Sequence, residues 1–101
     1  MPNPPLTEAV YYILLSLLSP MHGYGIMQNV EALSHGRVRL AAGTLYGAIN
    51  TLLEKGWINA LPEENNRKKE YIITNLGKEA LGGEIARLRE LLENGNALLG
   101  G

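Results

Sequence analysis

The chain has 101 residues, 46% of them hydrophobic, and carries nine lysines and arginines against ten carboxylates for a net charge of −1. That length fits one small domain with a modest core, to which a second subunit would add stability. With no cysteine in the sequence, disulfides, thiolate metal sites and a thiol nucleophile are all excluded.

The leader MPNPP is expected to be extended, because prolines and the residues before them avoid helix. It has no basic stretch followed by an apolar segment and a small-residue cleavage site, so no secretory signal is expected. The apolar run over residues 9–18 falls short of the roughly 20 residues a membrane helix needs. The expectation is a cytoplasmic protein.

Thr7 is a candidate N-cap for a first helix running to about Leu18, where Ser19-Pro20 ends it. This helix is apolar on more than one side, through Val10, Ile13, Leu14, Leu17 and Leu18 with Tyr11 and Tyr12, and so calls for cover from two directions. The segment MHGYG turns sharply at Gly23 and Gly25 into a second helix that buries Ile26, Met27, Val30 and Leu33, with Gly36 as its expected C-cap. RVRL alternates, Val38 and Leu40 inward and Arg37 and Arg39 outward, which predicts a short strand.

A third helix follows and stops at Gly56. It puts Leu45, Ile49, Leu52 and Leu53 on one face and Gly43, Gly47, Asn50 and Thr51 on the other. Two β-prone runs, WINAL and EYIIT, flank the turn-forming PEENNRKK and predict a hairpin with a basic tip. Thr74 or Asn75 caps a last helix with a stripe of Leu81, Ile85, Leu88 and Leu92, which Asn94-Gly95 is expected to end, leaving NALLGG as a frayed tail.

Three helices followed by a hairpin predict a mainly α fold with a small β-hairpin, a winged helix-turn-helix over residues 1–75. Residues 76–101 add a C-terminal dimerisation helix and tail. In this geometry the third helix enters the DNA major groove and the hairpin, the wing, lies along the backbone. Small groups on the leading face let a helix come close in a groove only about 12 Å wide. Gly43 and Gly47 permit that approach, Thr44, Asn50 and Thr51 offer hydrogen bonds, and Tyr46 offers a hydroxyl to a phosphate. The charge pattern agrees. From Arg37 to Lys78 seven cations stand against four carboxylates, Arg37, Arg39, Arg67, Lys68 and Lys69 among them, a local excess of three within a near-neutral chain.

Each feature has a plainer reading: the glycines as helix-packing contacts, Tyr46 as a boundary core residue, the wing cations as solubilising an edge. The histidines, His22 in a turn and His35 at a helix end, lack a second ligand at metal spacing. Neither a phosphate-binding glycine loop nor a nucleophile elbow is present. Neither catalysis, a metal nor a cofactor is expected. The competing functional classes are a protein-contact module built on the same fold and a small-molecule-binding dimer with weak DNA affinity.

The segments LTEAVYYILLSLL, HGYGI, GTLYGAINTLLEKGWI and RKKEYIITNLGKEAL together resemble a PadR-type transcriptional regulator over residues 6 to about 93. The resemblance implies a homodimeric winged-helix repressor whose last helix packs on the partner's first helix. It matches Thr44, Tyr46, Arg67, Lys68 and Lys69 to DNA contacts and implies release by a small aromatic or hydrophobic effector. Gly47 stands where many members have proline, and the last helix has no aromatic residue for stacking a drug. On this basis Val10, Leu14, Leu17, Leu81, Ile85, Leu88 and Leu92 are expected at the dimer interface. Tyr11, Leu14, Leu18 and Leu92 are expected to line an effector pocket between subunits. The alternative is that the first and last helices pair within one chain.

Overall fold

The computed structural model describes residues 4–63 and 68–100. Helix α1, Glu8–Ser16, starts where Thr7 Oγ1 accepts the Val10 N–H at 3.1 Å, with Glu8 in the electropositive first turn. Ile13, Leu14 and Leu17 point into the core and have no exposure. Ser16 ties α1 to the next helix. Its buried hydroxyl donates to the Tyr12 carbonyl at 2.7 Å and accepts from Asn29 Nδ2 at 2.8 Å.

After Pro20 comes a two-residue strand, β1, Met21–His22, absent from the sequence expectation. His22 also serves α2, Gly23–Leu33, as its N-cap: its Nδ1 accepts the Gly25 N–H. At the other end of α2 the backbone closes as a Schellman motif, Gly36 N–H to Glu31 carbonyl and His35 N–H to Ala32 carbonyl. Both His35 and Gly36 have positive φ. The left-handed turn thus begins one residue before the expected glycine.

The predicted strand over residues 37–40 does not form. The alternation is real, since Val38 and Leu40 are half-buried while Arg37 and Arg39 are exposed. Its backbone hydrogen bonds go elsewhere. The Arg37 N–H donates to the Ser34 carbonyl and the Val38 N–H to Ser34 Oγ. The sheet edge on that side is already taken by β1, which pairs antiparallel with β3, Met21 opposite Tyr71 and His22 opposite Glu70.

Helix α3, Ala42–Glu54, buries Leu45, Ile49 and Leu52 and ends at Gly56, with φ +73°, in a second Schellman pair. Strands β2, Ile58–Ala60, and β3, Glu70–Ile73, form the hairpin, with Ile58 opposite Ile73 and Ala60 opposite Tyr71, giving sheet order β1-β3-β2.

Helix α4, Asn75–Leu99, is capped by Thr74, whose Oγ1 accepts from Gly77 N–H and donates to the Gly56 carbonyl at 2.6 Å. It does not stop at Asn94-Gly95 but runs on to Leu99 and a left-handed Gly100. One glycine costs a helix only about 1 kcal/mol, and the leucines on either side of Gly95 are good helix formers. The first turns of α4 rest on α1 of the same chain. Among the described residues no helix is long and apolar enough to cross a membrane.

Candidate nucleic-acid interface

The outward face of α3 is as small in space as it is in sequence. Gly43, Thr44, Tyr46, Gly47, Asn50 and Thr51 are all exposed. A Cβ added at Gly43 or Gly47 would meet nothing within 4 Å, so neither glycine is an internal packing contact. Thr51 Oγ1 bonds back to the Gly47 carbonyl at 3.2 Å, which leaves its lone pairs free to accept.

Tyr46 sits where α3, the N-terminus of α2 and the wing meet. Its ring leans over Gly23, where a Cβ would overlap the hydroxyl and lie 2.8 Å from Cζ. With Lys68 and Lys69 of the wing, Tyr24 of α2 and Tyr71 of β3, it walls a cleft of about 410 Å³. The Lys68 ammonium lies 5.9 Å from the centre of the Tyr24 ring. Burial raises the Tyr71 pKa above its usual value, reinforced by Tyr46 and Glu63, so its hydroxyl is a donor at neutral pH.

Of the predicted cations, Lys68 and Lys69 lie on this side and are exposed, while Arg67 lies outside the described residues. Arg37 and Arg39 are engaged elsewhere. Arg37 pairs with Glu8, which pulls that carboxylate below its usual pKa and raises that of the arginine, and Arg39 sits 3.6 Å from Glu31. The two arginines therefore belong to a face shared with α1 and α2, apart from the cleft.

The interface candidates divide. Leu14, Leu17 and Leu81 are buried in this chain's own core and present nothing to a partner. Val10 and Ile85 are half-buried, and Leu88 and Leu92 are exposed, joined by Leu91, Leu98 and Leu99, which were not anticipated. Of the residues expected to line an effector pocket between two subunits, Tyr11 is half-buried and Leu18 and Leu92 are exposed in one chain. Leu14 is inaccessible, and none of Tyr11, Leu14, Leu18 and Leu92 borders the apolar cavity of about 280 Å³ between residues 4–7, α3 and Trp57. Lys55 reaches over Trp57 there, 5.0 Å from the ring centre.

Sequence reasoning passed over Tyr24 and Glu84. Tyr24 was hidden inside a segment that reads as a turn. Glu84 looks like any helix-surface glutamate, and only the fold reveals the backbone donor it meets.

The family model for PadR-like transcriptional regulators matches residues 13–83, which takes in both α3 and the wing. The chain belongs to the PadR-like family of transcriptional regulators. A solved PadR-family regulator from Eggerthella lenta is 25% identical, with TM-score 0.72 over 89% of this chain and 80% of that one. A transcriptional regulator described as putative, from Thermoplasma acidophilum, is 26% identical, with TM-score 0.71 over 92% and 91% of the two chains. The chain is also 36% identical over 85 residues to an uncharacterised 37.1 kDa protein in a Streptomyces fradiae transposon. It spans 24% of that relative's length. Family and winged-helix fold are those of transcription regulators rather than enzymes.

Proposed function

We propose that this PadR-like chain is a homodimeric, sequence-specific DNA-binding regulator, a repressor released by a small hydrophobic or aromatic effector. The observation that carries the DNA reading is the α3 face, open above Gly43 and Gly47 and rimmed by Thr44, Asn50 and Thr51. A face without bulk at Gly43 and Gly47, with Tyr46 turned to its edge over Gly23, lets the helix backbone reach base edges, whereas a protein-contact face is expected to offer large apolar anchors. Residues 1–75 read the DNA and residues 76–101 join the subunits. The two-fold axis of the dimer then requires an inverted repeat with half-sites about one helical turn apart, or a multiple of it. The apolar cavity beside α3 supports the effector reading, because a molecule filling it would press on Ala48, Thr51 and Leu52 of the recognition helix.

Fluorescence-anisotropy titrations on the protein's own upstream DNA and on random duplexes, at several salt concentrations, test this. Replacing Arg67, Lys68 and Lys69 by alanine is expected to weaken binding evenly across sequences. Each substitution should flatten the log–log salt slope by about one unit. Full affinity and an unchanged slope in the triple variant would reduce the wing to a soluble hairpin and favour the protein-contact module.

A further inference from the structure

The cleft between α2, α3 and the wing holds more than the DNA reading of α3 uses. It is lined by donors: the ammonium groups of Lys68 and Lys69 and the hydroxyls of Tyr24, Tyr46 and Tyr71. Among the described residues none of these three hydroxyls is hydrogen-bonded. Among the described residues no carboxylate lines it. Two described acidic groups stand close by: Glu70, opposite His22 in the β1–β3 ladder, and Glu63, whose charge is felt at Tyr71. Two ammonium groups crowded together with unbonded O–H donors make a site complementary to one compact anion with several acceptor oxygens.

We propose that this cleft receives a single backbone phosphate of duplex DNA, with Tyr24 of α2 as a contact residue beside Tyr46 and the wing lysines. The inference rests on the DNA-binding reading above and extends the interface from α3 and the wing onto α2. A duplex phosphate is favoured over a free anion because Tyr46 belongs to both surfaces. It follows Thr44 and precedes Gly47 on the outward face of α3, and its hydroxyl lies at the cleft floor over Gly23. A strand whose bases meet α3 would thus carry its backbone past the cleft. Tyr24 acts in two ways. Its ring lies beneath the Lys68 ammonium and limits where that flexible side chain can point, and its 57% exposed side chain presents a hydroxyl to the same anion. Gly23 is required because any side chain there would displace the Tyr46 hydroxyl.

The test is a scan of the operator in which one phosphate at a time is replaced by an uncharged methylphosphonate, titrated with wild type, Tyr24→Phe, Tyr24→Ala and Lys68→Ala. Wild type should lose affinity at one phosphate per half-site that the cleft covers. On intact DNA, Tyr24→Phe should cost about tenfold to a hundredfold, the scale of a hydrogen bond to a charged group, and Tyr24→Ala more, since Lys68 also loses its seat. On DNA neutralised at that phosphate, all three variants should match wild type. Thermal unfolding checks the fold, and the phenylalanine variant keeps the ring. Duplex binding that wing substitutions weaken but Tyr24 substitutions leave untouched would overturn this inference and leave the regulator reading standing. So would variant losses that persist wherever the methylphosphonate is placed. A thermal shift with inorganic phosphate alone, abolished by Lys68→Ala while duplex affinity stays unchanged, would assign the cleft to a free anion and also overturn it. Failure of the wild type to bind any duplex would overturn both readings.

Discussion

Glu84 meets three donors while almost wholly withdrawn from water. Its carboxylate accepts the Leu6 N–H at 3.1 Å and both Nε and Nη2 of Arg87, at 2.8 and 2.7 Å. One side chain of α4 thereby fixes the extended segment that walls the apolar cavity near α3. The Arg87 hydrogen bonds hold the Glu84 pKa below its usual value of 4.5 against the opposing effect of burial, with Leu6 N–H adding to the lowering. A depressed folded-state pKa means the stabilisation is complete above the unfolded value and is lost as the pH falls through the folded one. Glu84→Gln should therefore cost stability at neutral pH and cost progressively less as the pH drops below about 4.5. Urea unfolding at a series of pH values measures it, and a Glu84→Gln deficit independent of pH would refute the assignment. The exposed Glu8–Arg37 pair has the same sign but belongs to a class worth little, so Glu8→Gln should change the acid limb far less.

At the scale of elements, two glycines of similar appearance have opposite consequences. A Cβ on Gly77 would overlap the Trp57 carbonyl oxygen and come within 2.7 Å of Ile73 Cγ1, because the first turn of α4 lies directly against the end of the third helix's exit turn. The backbone carbonyl cannot give way, so Gly77→Ala should cost about 3 kcal/mol or more, the upper range of overpacking. Gly47 faces open space, so Gly47→Ala should raise stability by about 0.5–1 kcal/mol through helix propensity. The bulkier Gly47→Leu should fold normally and bind DNA more weakly. Chemical denaturation and anisotropy on the same variants separate the two effects. Much of this was legible beforehand. Periodicity located all four helices and the wing, and the outward face of α3 is the one the spacing of its leucines dictates. What escaped depended on partners distant in sequence. The strand at Met21–His22 has no pattern of its own and exists because β3 offers an edge, whereas Arg37–Leu40 has the pattern but its first N–H groups turn back onto Ser34. Tyr24 became part of a site only when the wing folded back over α2.

For the whole molecule, the dimensions carry the argument. The chain extends 56 Å in its longest direction and has a radius of gyration of 15.1 Å, where about 13 Å is usual for a compact domain of 100 residues. The excess comes from α4, whose 25 residues make a rod about 37 Å long at 1.5 Å per residue. Burial fades along it, from Leu81 at 4% exposed to Leu88 at 40%, Leu92 at 63% and Leu98 and Leu99 at 90%. Leu88, Leu91, Leu92, Leu98 and Leu99 fall at spacings of three, four, ten and eleven from Leu88, so they share one side of the helix. An isolated helical stretch of this length is only marginal in water, and covering each leucine is worth roughly 1.5–3 kcal/mol. In the proposed homodimer a second copy of the chain would supply that cover, and because a two-fold interface uses the same patch on both sides, any change would be felt twice. Leu88→Glu combined with Leu92→Glu should therefore yield a monomer. Its winged-helix core should keep its fold, since Leu81 and the residues around it are buried without the partner. Its affinity for a full inverted repeat should fall to that for a single half-site. Light scattering and anisotropy on full-site and half-site duplexes read the two effects together. A double variant that remains dimeric would move the subunit contact off the last helix, and a monomer that still binds the full site with undiminished affinity would show that the DNA reading does not require two subunits.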